Sequence, residues 1–224
     1  MGLSLNRRHF IAGSVSAYLA GVPDRASATS PRPFLTNKKL DVILVLGDSL
    51  SAEYGIARSS GWVALLNQKL QAEGIPAIVV NASISGDTTS GGRSRLGALL
   101  TQHRPTHVVI ELGANDAMRG LPLQFTEDNL TQMTQAAQKA GAKVLLVGMQ
   151  MPPNYGKDYG ERFTGIYERV AKANKAALVP FLLRGVADAP DSARLFQADR
   201  IHPKEEAHPI ILNNVWPALK KLLK

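Results

Sequence analysis

Val42-Ile43-Leu44-Val45-Leu46-Gly47-Asp48-Ser49-Leu50-Ser51 is the most informative stretch of the chain. Its apolar run reads as a β-strand buried on both faces, as in the middle of a parallel sheet. The strand stops at Gly47, so Asp48 and Ser49 fall just past its carboxyl end. In open α/β sheets that is the edge where ligands bind. A serine held there by a rigid strand is placed to act as a nucleophile. It is equally placed to cap a following helix, and this stretch alone leaves both uses open.

Strands and helices alternate outward from that point. Helix is expected from a cap at Ser59 or Ser60 to about Glu73, with Trp62, Leu65, Leu66 and Leu70 on one face. Ala77–Asn81 reads as a second strand, followed by a polar turn and a helix through Leu96, Leu99 and Leu100. Thr106–Leu112 is a third strand. A helix capped by Thr126, with Glu127 and Asp128 in its first turn, closes near Gly141. Lys143–Val147 is a fourth strand. A loop rich in Pro, Tyr and Gly (150–160) leads to a helix ending near Lys175. A short strand near Leu178–Phe181, an irregular stretch over 182–203 and a last helix from about Lys204 to Leu223 complete the order. Pro209 lies near the first turn of that helix and Pro217 is placed to kink it. This alternation predicts a three-layer α/β/α sandwich around a mainly parallel five-stranded sheet with right-handed crossovers.

The 224 residues suffice for one domain with one core, and 45% apolar with 20% charged residues is an ordinary globular balance. The first residues are read apart from the fold. Arg7-Arg8, a mildly apolar run from Ile11 to Val22, Pro23 and Ala26-Ser27-Ala28 have the order of a twin-arginine export signal over residues 1–28. Residues 29–39 read as a linker and 40–224 as the domain. The apolar run is too short to span a bilayer, so no stable membrane insertion is expected once the signal is removed, and a periplasmic or secreted location follows. The net charge of +8 is scattered rather than striped with aromatics, which argues against nucleic acid as partner. The chain has no cysteine, which excludes disulfides, thiolate nucleophiles and thiolate metal sites. His103 and His107 stand at His-x-x-x-His spacing, but Pro105 between them breaks the helix such a metal pair needs, so no metal is expected. His103, His107 and His208 read as surface or helix-face residues. A monomer acting on a small molecule, without a cofactor, is the expectation.

Three polar clusters each follow a buried strand: Asp48-Ser49, Ser85-Gly86-Asp87 and Asn115-Asp116. In a parallel sheet they emerge at one edge. A fourth, Asp199-Arg200-Ile201-His202-Pro203, precedes the last helix. These are the parts that acyl transfer requires. Ser49 needs a base within hydrogen-bond reach, and His202 is suited to that task. Asp199, three residues earlier, can reach the other ring nitrogen. The amides of Ser49 and Gly86 and the side-chain amide of Asn115 can receive an oxyanion. Each residue also has a plainer use: His202 as a helix cap, Asp199 in an Asx turn, Asn115 at a left-handed position. Asp48 and Asp116 read as carboxylates that hold loops, with Asp48 also among the substrate-binding candidates. Met118, Met149, Met151 and Tyr155 are candidates to line an acyl pocket, or else ordinary core.

In order along the chain, Gly47-Asp48-Ser49-Leu50, Gly86, Gly113-Ala114-Asn115-Asp116 and Asp199-Arg200-Ile201-His202 resemble the four blocks of the SGNH, or GDSL, hydrolases. Val80–Thr88 and Asn154-Tyr155-Gly156 look like its periplasmic thioesterase, lysophospholipase and arylesterase branch. The resemblance covers roughly residues 40–223. It implies a flavodoxin-like fold, Ser49 as nucleophile, Asp199 and His202 as its partners, and Ser49, Gly86 and Asn115 as the oxyanion hole. It also implies hydrolysis of esters and thioesters in a shallow site. The chain departs from the pattern at Glu53, where the branch often has Gly, and at Lys204, where the family usually has Asn. Both departures put the rim and the substrate preference in doubt. A carbohydrate O-acetylesterase and a non-catalytic lipid- or envelope-binding protein on the same fold remain as alternatives.

Overall fold

The computed structural model describes residues 40–224. The export segment and linker expected over 1–39 lie outside the described residues. Strands β1 (Asp41–Gly47), β2 (Ala77–Asn81), β3 (His107–Glu111), β4 (Lys143–Val147) and β5 (Ala177–Val179) form one parallel sheet in the order β2-β1-β3-β4-β5. The chain passes from β1 to β2 on one side, then crosses back to β3 on the other. That reversal opens a crevice between the carboxyl ends of β1 and β3.

Helices α1 (Trp62–Ala72), α2 (Thr89–His103), α4 (Leu123–Lys139), α5 (Lys157–Asn174) and α7 (His208–Leu222) supply the outer layers, with α1 packed on α7 and α2, α4 and α5 packed in series. The central strands are dry: Ile43–Leu46, Val108–Ile110 and Leu145–Val147 are fully buried. Edge strand β2 is half-wet, with Ile78 exposed. Trp62, Leu66 and Leu70 are buried on the inner face of α1 as their spacing requires. Truncating Leu66 to alanine there would cost about 2–5 kcal/mol.

Several local expectations are corrected. Neither Ser59 nor Ser60 caps α1; the cap is Gly61, and Ser59 is left-handed at φ +70°. The free amides at this helix start are received from elsewhere: Gly61 N donates to Glu53 Oε1 (2.9 Å) and Trp62 N to His208 Nδ1 (3.0 Å). Thr126 does not open α4, which starts at Leu123 behind Pro122; Thr126 lies inside the helix and is buried. A five-residue helix, α3 (Ala114–Met118), follows β3, and a four-residue helix, α6 (Ser192–Leu195), lies in the stretch expected to be irregular. The loop expected over 150–160 is shorter, since α5 begins at Lys157. The last helix begins at His208, behind a 3₁₀ turn over Glu205–Ala207.

His107 and His208 are buried, not superficial. Burial holds the His208 pKa below the ordinary histidine value, which suits a ring nitrogen that accepts from Trp62 N. His107 Nε2 contacts the Leu222 carbonyl at 3.0 Å, and Lys143 Nζ donates to the same oxygen. The last turn of α7 is thereby pinned to the starts of β3 and β4.

Candidate active site

Four segments build the site. β1 ends at Gly47, and the turn that follows exposes Ser49. Asp48 is buried beneath it: its Oδ1 accepts from Leu50 N (3.0 Å) and its Oδ2 from Asn115 Nδ2 (2.9 Å). After β2, the Asp87 amide donates to the Ile84 carbonyl (3.0 Å), closing a turn that holds Gly86 at φ +77°, a conformation glycine adopts freely. After β3, Gly113 at φ +121° makes the bend into α3, so the left-handed position belongs to Gly113 and Asn115 is helical. A Cβ on Gly113 would lie 2.6 Å from Tyr167 Oη, whose hydroxyl donates to the Leu112 carbonyl (2.9 Å). Asn115 Nδ2 also donates to the Asp87 carbonyl (2.9 Å). One side-chain amide therefore ties together the ends of β1, β2 and β3.

The fourth segment runs back from the other end of the chain. His202 Nε2 lies 2.9 Å from Ser49 Oγ across 153 positions, and His202 Nδ1 lies 2.7 Å from Asp199 Oδ2. Asp199 Oδ1 also accepts from Ile201 N (2.9 Å) and His202 N (3.0 Å). The Asx turn and the carboxylate–imidazole contact thus coexist in one residue. The His202 amide is the first cause that lowers the Asp199 pKa to about 2, so the carboxylate stays charged beside the ring. Arg200 takes φ +59° between them.

Beside Ser49 opens a cavity of about 630 Å³, walled by Met118, Met149, Met151, Phe181, Leu183 and Phe196 among others, with Asp48 and Asn115 at its polar end. Tyr155 is not part of that wall; it is exposed in a 3₁₀ turn and stacks against Tyr159. Asp116 holds a loop, accepting from Thr89 N (2.9 Å) and Thr89 Oγ1 (2.5 Å).

Three contacts escaped the sequence reading, one of them made by Glu53, whose departure from the pattern is noted above. Tyr54 lays its ring against His202, with centroids 4.3 Å apart, and Gln197 Nε2 donates to the Tyr54 carbonyl (2.9 Å). Glu53 stands in a left-handed conformation at φ +60°, and its carboxylate accepts from Ser59 N and Gly61 N, tying down the loop that carries Tyr54. Glu111 is fully buried below the Ser49 turn. A charged residue inside an otherwise apolar strand was the available signal for it. Lys204, the other departure, is exposed.

A hydroxyl, an imidazole and a carboxylate in hydrogen-bond series, with amide donors nearby and an apolar cavity alongside, define a serine acyl hydrolase on a doubly wound sheet. Residues 45–210 match the model of the GDSL-like lipase/acylhydrolase family. Esterase TesA of Pseudomonas aeruginosa is 53% identical over 181 residues, 81% of this chain and 89% of that one. Thioesterase 1/protease 1/lysophospholipase L1 of Escherichia coli is 44% identical over 183 residues, 82% of this chain and 85% of that one. A crystal structure of TesA superposes with a TM-score of 0.78 at 52% identity, covering 81% of this chain and 99% of that one. The chain belongs to the GDSL-like lipase/acylhydrolase family and is a hydrolase of carboxylic esters and thioesters.

Proposed function

We propose that hydrolysis proceeds through an acyl-enzyme on Ser49. The carrying observation is the Ser49–His202–Asp199 series at 2.9 and 2.7 Å. His202 takes the Ser49 proton as the hydroxyl attacks the acyl carbon, then returns it to the leaving oxygen or sulfur. Charged Asp199 fixes the ring and stabilises the imidazolium. The oxyanion is received by the amides of Ser49 and Gly86 and by the Asn115 side chain. The acyl chain lies in the cavity lined by Met118, Met149 and Met151. The proposed substrates are aryl and short-to-medium acyl esters, acyl-CoA-like thioesters and lysophospholipids. Asp48 supports the turn rather than the substrate, because both its oxygens are taken by Leu50 N and Asn115.

The chain is further proposed to act outside the cytoplasm, as a monomer, after removal of residues 1–28. Arg7-Arg8 and Ala26-Ser27-Ala28 support the export and the cleavage. No helix among the described residues is long and apolar enough to cross a membrane.

The test is a fluorophosphonate probe with Ser49→Ala. Labelling of the wild type, no labelling of the variant, and loss of p-nitrophenyl butyrate hydrolysis by several orders of magnitude in folded protein are expected. A variant that still labels would remove Ser49 from the mechanism.

A further inference from the structure

Below the Ser49 turn lie two carboxyl groups. Glu111 ends β3, in register with Gly47 at the end of β1. Its Oε2 accepts from Ser51 Oγ (2.7 Å) and, at 3.4 Å, from Asp48 N. Ser51 Oγ in turn accepts from Trp62 Nε1 (3.2 Å). Trp62, Ser51 and Glu111 thus form a chain of hydrogen bonds under residues 48–51. Glu111 and Asp48 are 0% and 1% exposed. Glu111 Oε1 has no hydrogen-bond partner.

Two ionised carboxylates cannot share a dry site without a cation. The groups facing this pair are Ser51 from the β1 turn, Asp87 after β2, the Tyr167 hydroxyl on α5 and His202. No lysine or arginine pairs with either carboxyl among the described residues. The single charge falls on Asp48, which receives an amide and the Asn115 side chain. Glu111, with one oxygen unpartnered, is the cheaper of the two to leave neutral. Burial is also the first cause raising both pKa values, Asp48 to about 6 and Glu111 well above the ordinary carboxyl value.

The geometry points to Glu111 as a positioning residue: a buried neutral acid that clamps the turn bearing Ser49 without placing a second negative charge beneath the oxyanion hole. This rests on Ser49 being the nucleophile. A charge there would oppose the negative oxygen formed at Ser49, Gly86 and Asn115. Losing the clamp would let the hydroxyl drift from His202.

The experiment compares Glu111→Gln and Glu111→Ala with the wild type. Glutamine keeps an oxygen for Ser51 and cannot ionise. It should retain kcat at neutral pH, and its pH profile should lack any fall in kcat on the alkaline side that the wild type owes to ionisation of Glu111. Alanine should lose roughly 10–100-fold in kcat with KM changed far less. Infrared spectra of the wild type at neutral pH should contain a protonated-carboxyl band that Glu111→Gln lacks; this reading of the wild type does not depend on a variant folding. Absence of the band in the wild type, a folded Glu111→Gln as inactive as Glu111→Ala, or a fully active Glu111→Ala each overturns the proposal. Fluorophosphonate labelling at Ser49 separates the cases: if the wild type does not label, the acyl-enzyme reading itself fails; if it labels and the Glu111 results differ, only the clamp fails.

Discussion

Replacing Asn115 with alanine separates a donor to the transition state from a structural amide. Asn115 Nδ2 already spends both hydrogens, one on Asp48 Oδ2 and one on the Asp87 carbonyl, each at 2.9 Å. An oxyanion must therefore share or displace one of these bonds. Of three expected donors, loss of one costs about 10²–10³ in kcat, or roughly 3–4 kcal/mol. KM should change little, because the interaction strengthens only as charge develops. The fold loses one bond to a buried carboxyl and one to a carbonyl, together about 2–3 kcal/mol. For a domain of this size that lowers Tm by roughly 4–12 °C. Initial rates on p-nitrophenyl butyrate, with thermal melts of both proteins, give the two quantities separately. A variant that melts lower but keeps kcat within about tenfold would refute the donor role and leave Asn115 as a tie between three loops.

Gly113→Ala should be destabilised by about 2 kcal/mol or more, from the positive φ and from displacement of the Tyr167 hydroxyl 2.6 Å away; thermal melts check this, and kcat should fall with it as α3 shifts. Ala193→Phe, on the cavity wall, should shorten the preferred acyl chain, each excluded methylene costing about 0.8 kcal/mol in kcat/KM, near fourfold; a panel of p-nitrophenyl esters reads it. Because the folded Asp199 pKa is depressed to about 2, its contribution to stability is present above the ordinary value of 3.8 and lost as pH falls through 2. The stability gap between wild type and Asp199→Asn should therefore be constant at neutral pH and close on acidification, as denaturant melts across that range would reveal.

The parallel sheet was legible because Val42–Leu46 and Val108–Ile110 are unbroken apolar runs, and such runs form strands buried on both faces. The meeting of Ser49 and His202 was legible from four short blocks in order. The start of α1 was not, because what receives its amides is spread across the molecule: Glu53 lies eight residues before Gly61 and His208 lies 146 residues after Trp62. Thr126 carries a capping sequence, yet Pro122 had already started the helix four residues earlier. His107 and His208 look like surface residues until the partners that make burial tolerable are known. Tyr155 sits in a matching motif, but the 3₁₀ turn directs it away from the cavity wall. Glu111 was read as one more strand residue because local pattern does not disclose which of two neighbouring acids keeps its proton.

Anchoring the end of α7 to the first residues of β3 and β4 has a practical consequence. Residue 40 enters β1, and Leu222 is pinned, at the amino edge of the sheet, while Ser49 opens at the carboxyl edge. The domain can therefore be tethered by either end, on a resin or a display particle, with its mouth directed away from the support.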